Sequence, residues 1–473
     1  MSHGVGRWYS GVRGLWEVLA IAVQPDLALV MMQAPCVPSE VIDYLVGLRR
    51  PSTSARQDVY ARLAMVELDD ASARHLSEKF LTNPRALNRL RRTIERARAW
   101  GHQVEGLACY ASSEPIARLA DVLGLRLLET PPATLRLGGK AGSRELFRRA
   151  GVPHLPGTYR AVRSMDALAD VLARLTARHG SGTWVVKVDQ GFGSGHGNGT
   201  IVVRELDRTA IQTAIRTRLR PASAAISTAT LLSRIASSGA VVERMAAAPA
   251  GMQLRFPSVS LYLPAVVGGT TAPHIIGTHE QIIDSHQSFV GATLPAGPAY
   301  RCALVRHAKR AAIELRRAGV CGHACIDFVA VGSGVDPTGW TLHALEVNLR
   351  QTGTTHANRA AMLLTGAVCR RGRLVTPSGA EICYLTTDGL IDDEYRSLTP
   401  GRLIAGLQAA PGLGFDPATG RGVVPHLWTT LTRFGKVGAT MLDRSAEHCL
   451  DLQDRFKALL ASLSTSGSEA AGR

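Results

Sequence analysis

The chain has 473 residues, a hydrophobic content of 45%, eight cysteines and a formal net charge of +16. That length predicts about three domains with sizeable cores, and no apolar run reaches the ~18 residues of a membrane-spanning helix. The cysteines are scattered and include no Cys-x-x-Cys pair, which excludes a disulfide framework, and the arginines lack the interleaved aromatics of a nucleic-acid surface.

The first 14 residues are rich in glycine and serine and are expected to be loose. Arg7 and Arg13 ahead of an apolar stretch imitate a secretory signal, but Glu17 interrupts it and no small-residue cleavage site follows, so a cytoplasmic protein is expected. Residues 18–23 and 27–32, separated by Gln24-Pro25-Asp26, read as two strands joined by a turn. Apolar runs at 63–66 and 107–109 alternate with helical patterns such as 86–100, which predicts an α/β sheet domain over residues 1–128.

A second domain, 129–373, opens near Pro131-Pro132. Residues 143–150 form a short helix stopped by Gly151 and Pro153, and 164–179 a longer one capped by Ser164. A strand at 183–188, a glycine-rich loop at 191–199 and a partner strand at 200–203 follow, with the lid lobe spanning about 184–243. Further strands are expected at 240–243, 253–256, 258–263, 274–277, 324–331 and 340–349. A last domain, 374–463, ends in a helix from Ser445, and residues 464–473 read as a disordered tail.

The most informative segment is Glu346-Val347-Asn348-Leu349-Arg350. In an extended strand alternate side chains share a face, so a carboxylate, an amide and a guanidinium would project together. Hard oxygens beside a fixed cation suit a magnesium-bound polyphosphate, although a half-solvated strand reads the same way. Asp327, among Ile326, Phe328 and Val329, would join that row if its strand pairs antiparallel with the one carrying Glu346.

The basic residues sharpen the picture. Only six are lysines, against 48 arginines. Lys187 sits among valines at a strand end, where burial demands an anion, either a ligand phosphate or a neighbouring carboxylate. Lys140 follows Gly138-Gly139 just ahead of a helix. The loop 191–199, with Gly193, Ser194, Gly195, Gly197 and Asn198, leaves backbone N–H groups open to an anion. It joins two strands, which fits a lid hairpin better than a strand-to-helix phosphate loop. Glu243 ends a strand where it could accept from an adenine amino group or a ribose hydroxyl. Gln281 and Arg255 are further polar candidates, and His279-Glu280 fails as a zinc motif because Ile283 stands where histidine is needed.

In order, Lys140, Lys187, the glycine loop, Glu243, Asp327, Glu346, Asn348 and Arg350 resemble the ATP-grasp superfamily of carboxylate–amine ligases. More closely, the chain is similar to the pheganomycin-type peptide ligases. The carriers are Leu68-Asp69-Asp70 with Leu76-Ser77, the segment 137–144, Gly151-Val152-Pro153, 278–281, 346–355 and 434–438. This resemblance implies an α/β and α+β multidomain fold: an N-terminal pre-ATP-grasp α/β domain, an ATP-grasp core of two α+β lobes and a small C-terminal α+β domain. It implies that Lys140 and Lys187 hold ATP phosphates under the glycine lid, with Glu243 at the adenine end and Gln281 in the nucleotide site. Asp327, Glu346 and Asn348 would bind Mg²⁺ (with Mn²⁺ as an alternative), and Arg350, Lys187 and Arg255 would serve catalysis. The implied reaction joins a small-molecule or peptide carboxylate to an amine through an acyl-phosphate, releasing ADP and phosphate, in peptide natural-product biosynthesis. The implied partners are those substrates and a second copy of the chain, with neither nucleic acid nor membrane. The competing reading is a catalytically silent nucleotide-binding regulatory or scaffold protein of the same fold.

Overall fold

The computed structural model describes residues 13–189, 197–204, 206–223, 226–265, 272–284, 289–334 and 339–471. Of the sequence candidates, Gly193, Ser194 and Gly195 lie outside them. Among the described residues no helix is long and apolar enough to cross a membrane. The architecture is mixed α/β, and the chain divides into two compact units, one of residues 133–290 and 296–349, the other of 1–132, 291–295 and 350–473.

The first of these units contains two sheets. In the smaller, Gly182–Val188 lies between Asn198–Val203 and Ala240–Arg244, antiparallel to both. Its apolar face carries Trp184, Val186, Ile201 and Val242, covered by Leu168, Leu172, Ile211, Ile215, Leu231 and Ile235 from three helices. Those helices start where the sequence supplies a cap, with Ser164, Asp207 and Ser227 each accepting an N–H from the first turn.

The larger sheet runs Thr341–Asn348, Gly322–Gly332, Pro257–Leu263 and His274–Ile283, all antiparallel. Gln253–Arg255 adds to the far end of Gly322–Gly332. Alternating apolar residues on these strands, among them Val259, Leu261, Ile326 and Val347, bury against Leu146, Phe147, Leu304 and Ala308 from the helices Lys140–Ala150 and Pro298–Arg317. The strand–strand pairing places Asp327 directly opposite Glu346, and a bulge then leaves Leu345 without a counterpart.

The other unit pairs Leu29–Gln33 with Leu63–Glu67 in parallel. It also packs a sheet in which Gly291–Leu294, Glu381–Ile391, Lys436–Asp443 and Gly422–His426 follow one another antiparallel. One hydrophobic core joins Val18, Ile21, Val41 and Val46 from the amino-terminal helices to Leu385, Leu403, Val437 and Phe456 from the carboxy-terminal segment.

Several expectations change. Residues 18–23, read as a strand, belong to the helix Glu17–Val23, because a short unbroken apolar run satisfies a buried helix as well as a strand. Leu107 makes only an isolated bridge to Leu127, not a strand. The helix expected at 143–150 begins at Lys140, and the terminal helix runs Ala446–Ala471, through most of the segment read as a tail. Gly142 explains the first of these starts, since a Cβ there would lie 2.2 Å from the Arg136 carbonyl oxygen of the preceding turn.

Ile326 is fully buried at the centre of the larger sheet. Ile326→Ala should therefore lower stability by about 2–5 kcal/mol, read as a fall in the urea midpoint at unchanged slope.

Candidate active site

The helix Lys140–Ala150 packs against both Thr341–Asn348 and Ala240–Arg244, so its first turn lies between the two sheets of the unit. Lys140 is its first residue, behind Gly139 as the cap. The ammonium donates to the Glu346 carboxylate. One residue on, the Ala141 N–H donates to Asp189 Oδ1 at 2.7 Å, and Ser143 Oγ accepts from the Val347 N–H at 3.0 Å.

Around Glu346 the polar groups form a connected set. Asn348 Nδ2 donates to Asp327 Oδ2 at 2.9 Å and to Glu346 Oε1 at 3.3 Å, and Gln281 Nε2 donates to Asp327 Oδ1 at 2.7 Å. Burial works to raise the Glu346 carboxyl, but the Lys140 ammonium, the Lys187 charge and the Asn348 amide outweigh it and hold it down to about 2. Glu346 is thus ionised at neutral pH, and both sequence-singled lysines act on it.

Two carboxylates and two amides converging on one patch form the hard-oxygen donor set that Mg²⁺ takes, since an amide turned about its last torsion presents oxygen where it now presents nitrogen. Asp327, Glu346 and Asn348 therefore fit a divalent ion.

A second cluster sits beside it. Glu243 is buried and uses both oxygens: Lys187 Nζ donates to Oε1 at 2.5 Å, and Arg144 Nη1 donates to Oε2 at 2.7 Å. The remaining Arg144 donors go to the Thr158 and Leu155 carbonyls, each at 2.7 Å. Lys187 thus meets its buried-charge requirement through a neighbouring carboxylate, and Glu243 is fully engaged rather than presented as a free acceptor. Sequence reasoning did not assign a role to Arg144 or Asp189. The signal for Arg144 was its place one turn beyond Lys140, on the same side of the helix.

Other candidates separate from these clusters. The strand carrying Glu346 ends at Asn348, so Arg350 does not continue the alternating row. It lies in the other unit and donates to the Gln351 carbonyl at 2.9 Å. Arg255 is exposed and donates to Gln253 at 2.9 Å. Gly197 and Asn198 lead into the strand opposite Lys187, with Asn198 paired to it in register. Near Gln281, Glu280 accepts from the Tyr300 hydroxyl and from the Gly297 N–H, and burial pushes its carboxyl up.

Comparison with solved structures identifies the fold. The biotin carboxylase–β-γ-ATP complex from Campylobacter jejuni superposes with a TM-score of 0.56 at 11% identity, covering 97% of this chain and 93% of that one. The biotin carboxylase domain of Hydrogenobacter thermophilus 2-oxoglutarate carboxylase, crystallised with MgADP, ADP and bicarbonate, gives 0.51 at 13% identity, covering 94% and 87%. The fold is that of the ATP-grasp enzymes.

Among curated proteins, the L-propargylglycine–L-glutamate ligase of Streptantibioticus cattleyicolor is 27% identical over 439 residues, 89% of this chain and 83% of that protein. Residues 404–456 match the PGM1 C-terminal domain family. The chain is similar to this ligase over most of its length and carries the ATP-grasp fold.

Two outcomes test the site. Arg144→Met leaves Glu243 buried with half its partners, and should cost about 3–5 kcal/mol in chemical denaturation. The lowered Glu346 carboxyl contributes stability that is complete above the ordinary carboxylate range and fades as pH falls towards about 2. The stability gap between the protein and Glu346→Gln should therefore shrink steadily over that interval.

Proposed function

We propose that the chain joins a carboxylic acid to an amine in two steps that share one nucleotide site. A substrate carboxylate oxygen attacks the γ-phosphorus of ATP, the bond from that phosphorus to its bridging oxygen breaks, and ADP leaves. The amine nitrogen then attacks the acyl carbon, the bond from acyl carbon to phosphate oxygen breaks, phosphate departs, and the nitrogen gives up a proton. The convergence of Asp327, Glu346 and Asn348 opposite Lys140 carries this reading.

Phosphoryl transfer needs positioning and charge neutralisation more than covalent help from side chains. Lys140 and Lys187 are the cations suited to phosphate oxygens. On nucleotide binding, each would exchange part of its present carboxylate contact for a phosphate contact. Asp327, Glu346 and Asn348 would hold magnesium, which would supply neutralisation of polyphosphate charge. The segment around Gly193, Ser194 and Gly195 is proposed to cover the phosphates, and closure would keep water from the acyl-phosphate.

The substrates proposed are small amino acids or short peptides. The similar ligase, named for L-propargylglycine and L-glutamate, supports this choice, since propargylglycine lies outside the twenty ribosomal amino acids and points to natural-product assembly. A cytoplasmic enzyme drawing on the ATP pool follows from the same reading.

The test is a phosphate-release screen of amino acids in pairs, with mass spectrometry of products. ADP, phosphate and an amide product should appear together, only with Mg²⁺, acid and amine all present. Glu346→Ala should lower turnover by at least about 100-fold while the protein stays folded. AMP and pyrophosphate would overturn the acyl-phosphate route, and ATP binding without turnover on every pair would favour the silent nucleotide-binding protein.

A further inference from the structure

In the unit that holds neither Lys140 nor Glu346, a cavity of about 500 Å³ opens at the start of the helix Pro84–Ala99. Its lining includes Leu68, Asp70, Arg74, Lys79, Asn83 and Arg85. The nucleotide chemistry uses none of these residues. The volume is that of a site for a small molecule.

The lining carries more positive charge than its one carboxylate balances. Asp70 is held down to about 2, with the Ser72 side chain the largest cause, and is ionised at neutral pH. Both of its oxygens are taken: Oδ1 accepts from the Ser72 N–H at 2.8 Å and Oδ2 from Arg74 Nη2 at 3.0 Å. The Lys79 ammonium stands 3.7 Å from Oδ1 and donates to the Asp70 carbonyl at 2.6 Å. Asp70 therefore orients two cations and has nothing left for a third. Arg85 is exposed and pairs with no carboxylate among the described residues. Three cations around one carboxylate leave two positive charges uncompensated. Burial pulls the Lys79 ammonium below its ordinary value; the Asp70 charge opposes this, and the Arg74 and Arg433 charges add to it.

Unspent donors face the same space. Arg74 uses three of its five N–H groups, on Ser72, Thr82 and Asp70, and two remain. In the first turn of the helix, Pro84 has no N–H, and the Ala86 and Leu87 N–H groups go to the Asn83 side chain and carbonyl. That leaves the Arg85 N–H as the open donor of the turn, and no acidic residue stands there to meet the helix dipole. Guanidinium forks beside a helix-start N–H are the donors phosphate oxygens take, and a surplus of two charges matches a phosphoryl dianion.

We propose that this cavity binds a phosphoryl dianion, as free phosphate or as the head of a small phosphate ester, on the Arg74 and Arg85 guanidinium groups and the Arg85 N–H, with Lys79 adding charge from behind. The site stands independently of the ligase reading above.

Calorimetry on the full chain, at constant ionic strength and with MgADP present, tests the assignment. The probes are inorganic phosphate, α-glycerophosphate and succinate, the last a dianion without phosphorus. At least one phosphate probe should bind with a Kd of about 1 mM or tighter, and succinate about tenfold more weakly. Arg85→Gln should weaken phosphate binding about tenfold, and Arg85→Lys, which keeps the charge, should recover part of it. Arg92→Gln, on the same helix but outside the lining, should leave it unchanged. ADP affinity should be the same in all three variants. Tighter binding of the ester than of free phosphate assigns the site to an ester, and the reverse assigns it to free phosphate.

Absence of saturable binding by both phosphate probes, equal affinity for succinate, or parent-like binding by Arg85→Gln would each overturn the proposal. An equal loss in Arg92→Gln would reduce the effect to net charge and overturn it as well.

Discussion

Asp327 and Glu346 face each other across neighbouring antiparallel strands, and two carboxylates at that spacing repel unless donors stand between and beside them. Asn348 and Gln281 supply amide donors, and Lys140 supplies the charge. The arrangement concentrates oxygen ligands and holds Glu346 ionised, as a divalent ion requires. The bulge at Leu345 serves the same end, shifting the register just where the two carboxylates must oppose each other.

The neighbouring Arg144–Glu243–Lys187 cluster has a different physical character. Its charges are nearly out of water, so their value lies less in net stability than in fixing where Lys187 points. Arg144 spends its remaining donors on two carbonyls of the segment that joins the helices Lys140–Ala150 and Met165–His179. The helix bearing Lys140 and the strand bearing Lys187 are thereby tied through one carboxylate. Both lysines then act on Glu346.

How much of this was legible can be judged residue by residue. The pairing of Asp327 with Glu346, the capping of 165–179 by Ser164 and the burial of Lys187 against an anion all follow from local pattern and elementary electrostatics. The helix at 17–23 did not, because periodicity cannot separate a short buried helix from a buried strand. Arg350 was placed in the alternating row by extrapolating the strand two residues beyond its end at Asn348. The partners of Glu243 were out of reach, since Arg144 stands 99 residues away in sequence.

Composition, spacing and the rarity of lysine by themselves determined that this chain is an α/β protein with a strand-borne carboxylate and amide row and two lysines committed to anions. Those are local properties, set by side-chain alternation and by the cost of burying a lone charge. Which carboxylate meets which lysine, and that amino-terminal and carboxy-terminal segments share one core, was decided only by the tertiary structure. Such contacts join residues tens to hundreds of positions apart, and their energy depends on distance and burial that no short window of sequence encodes.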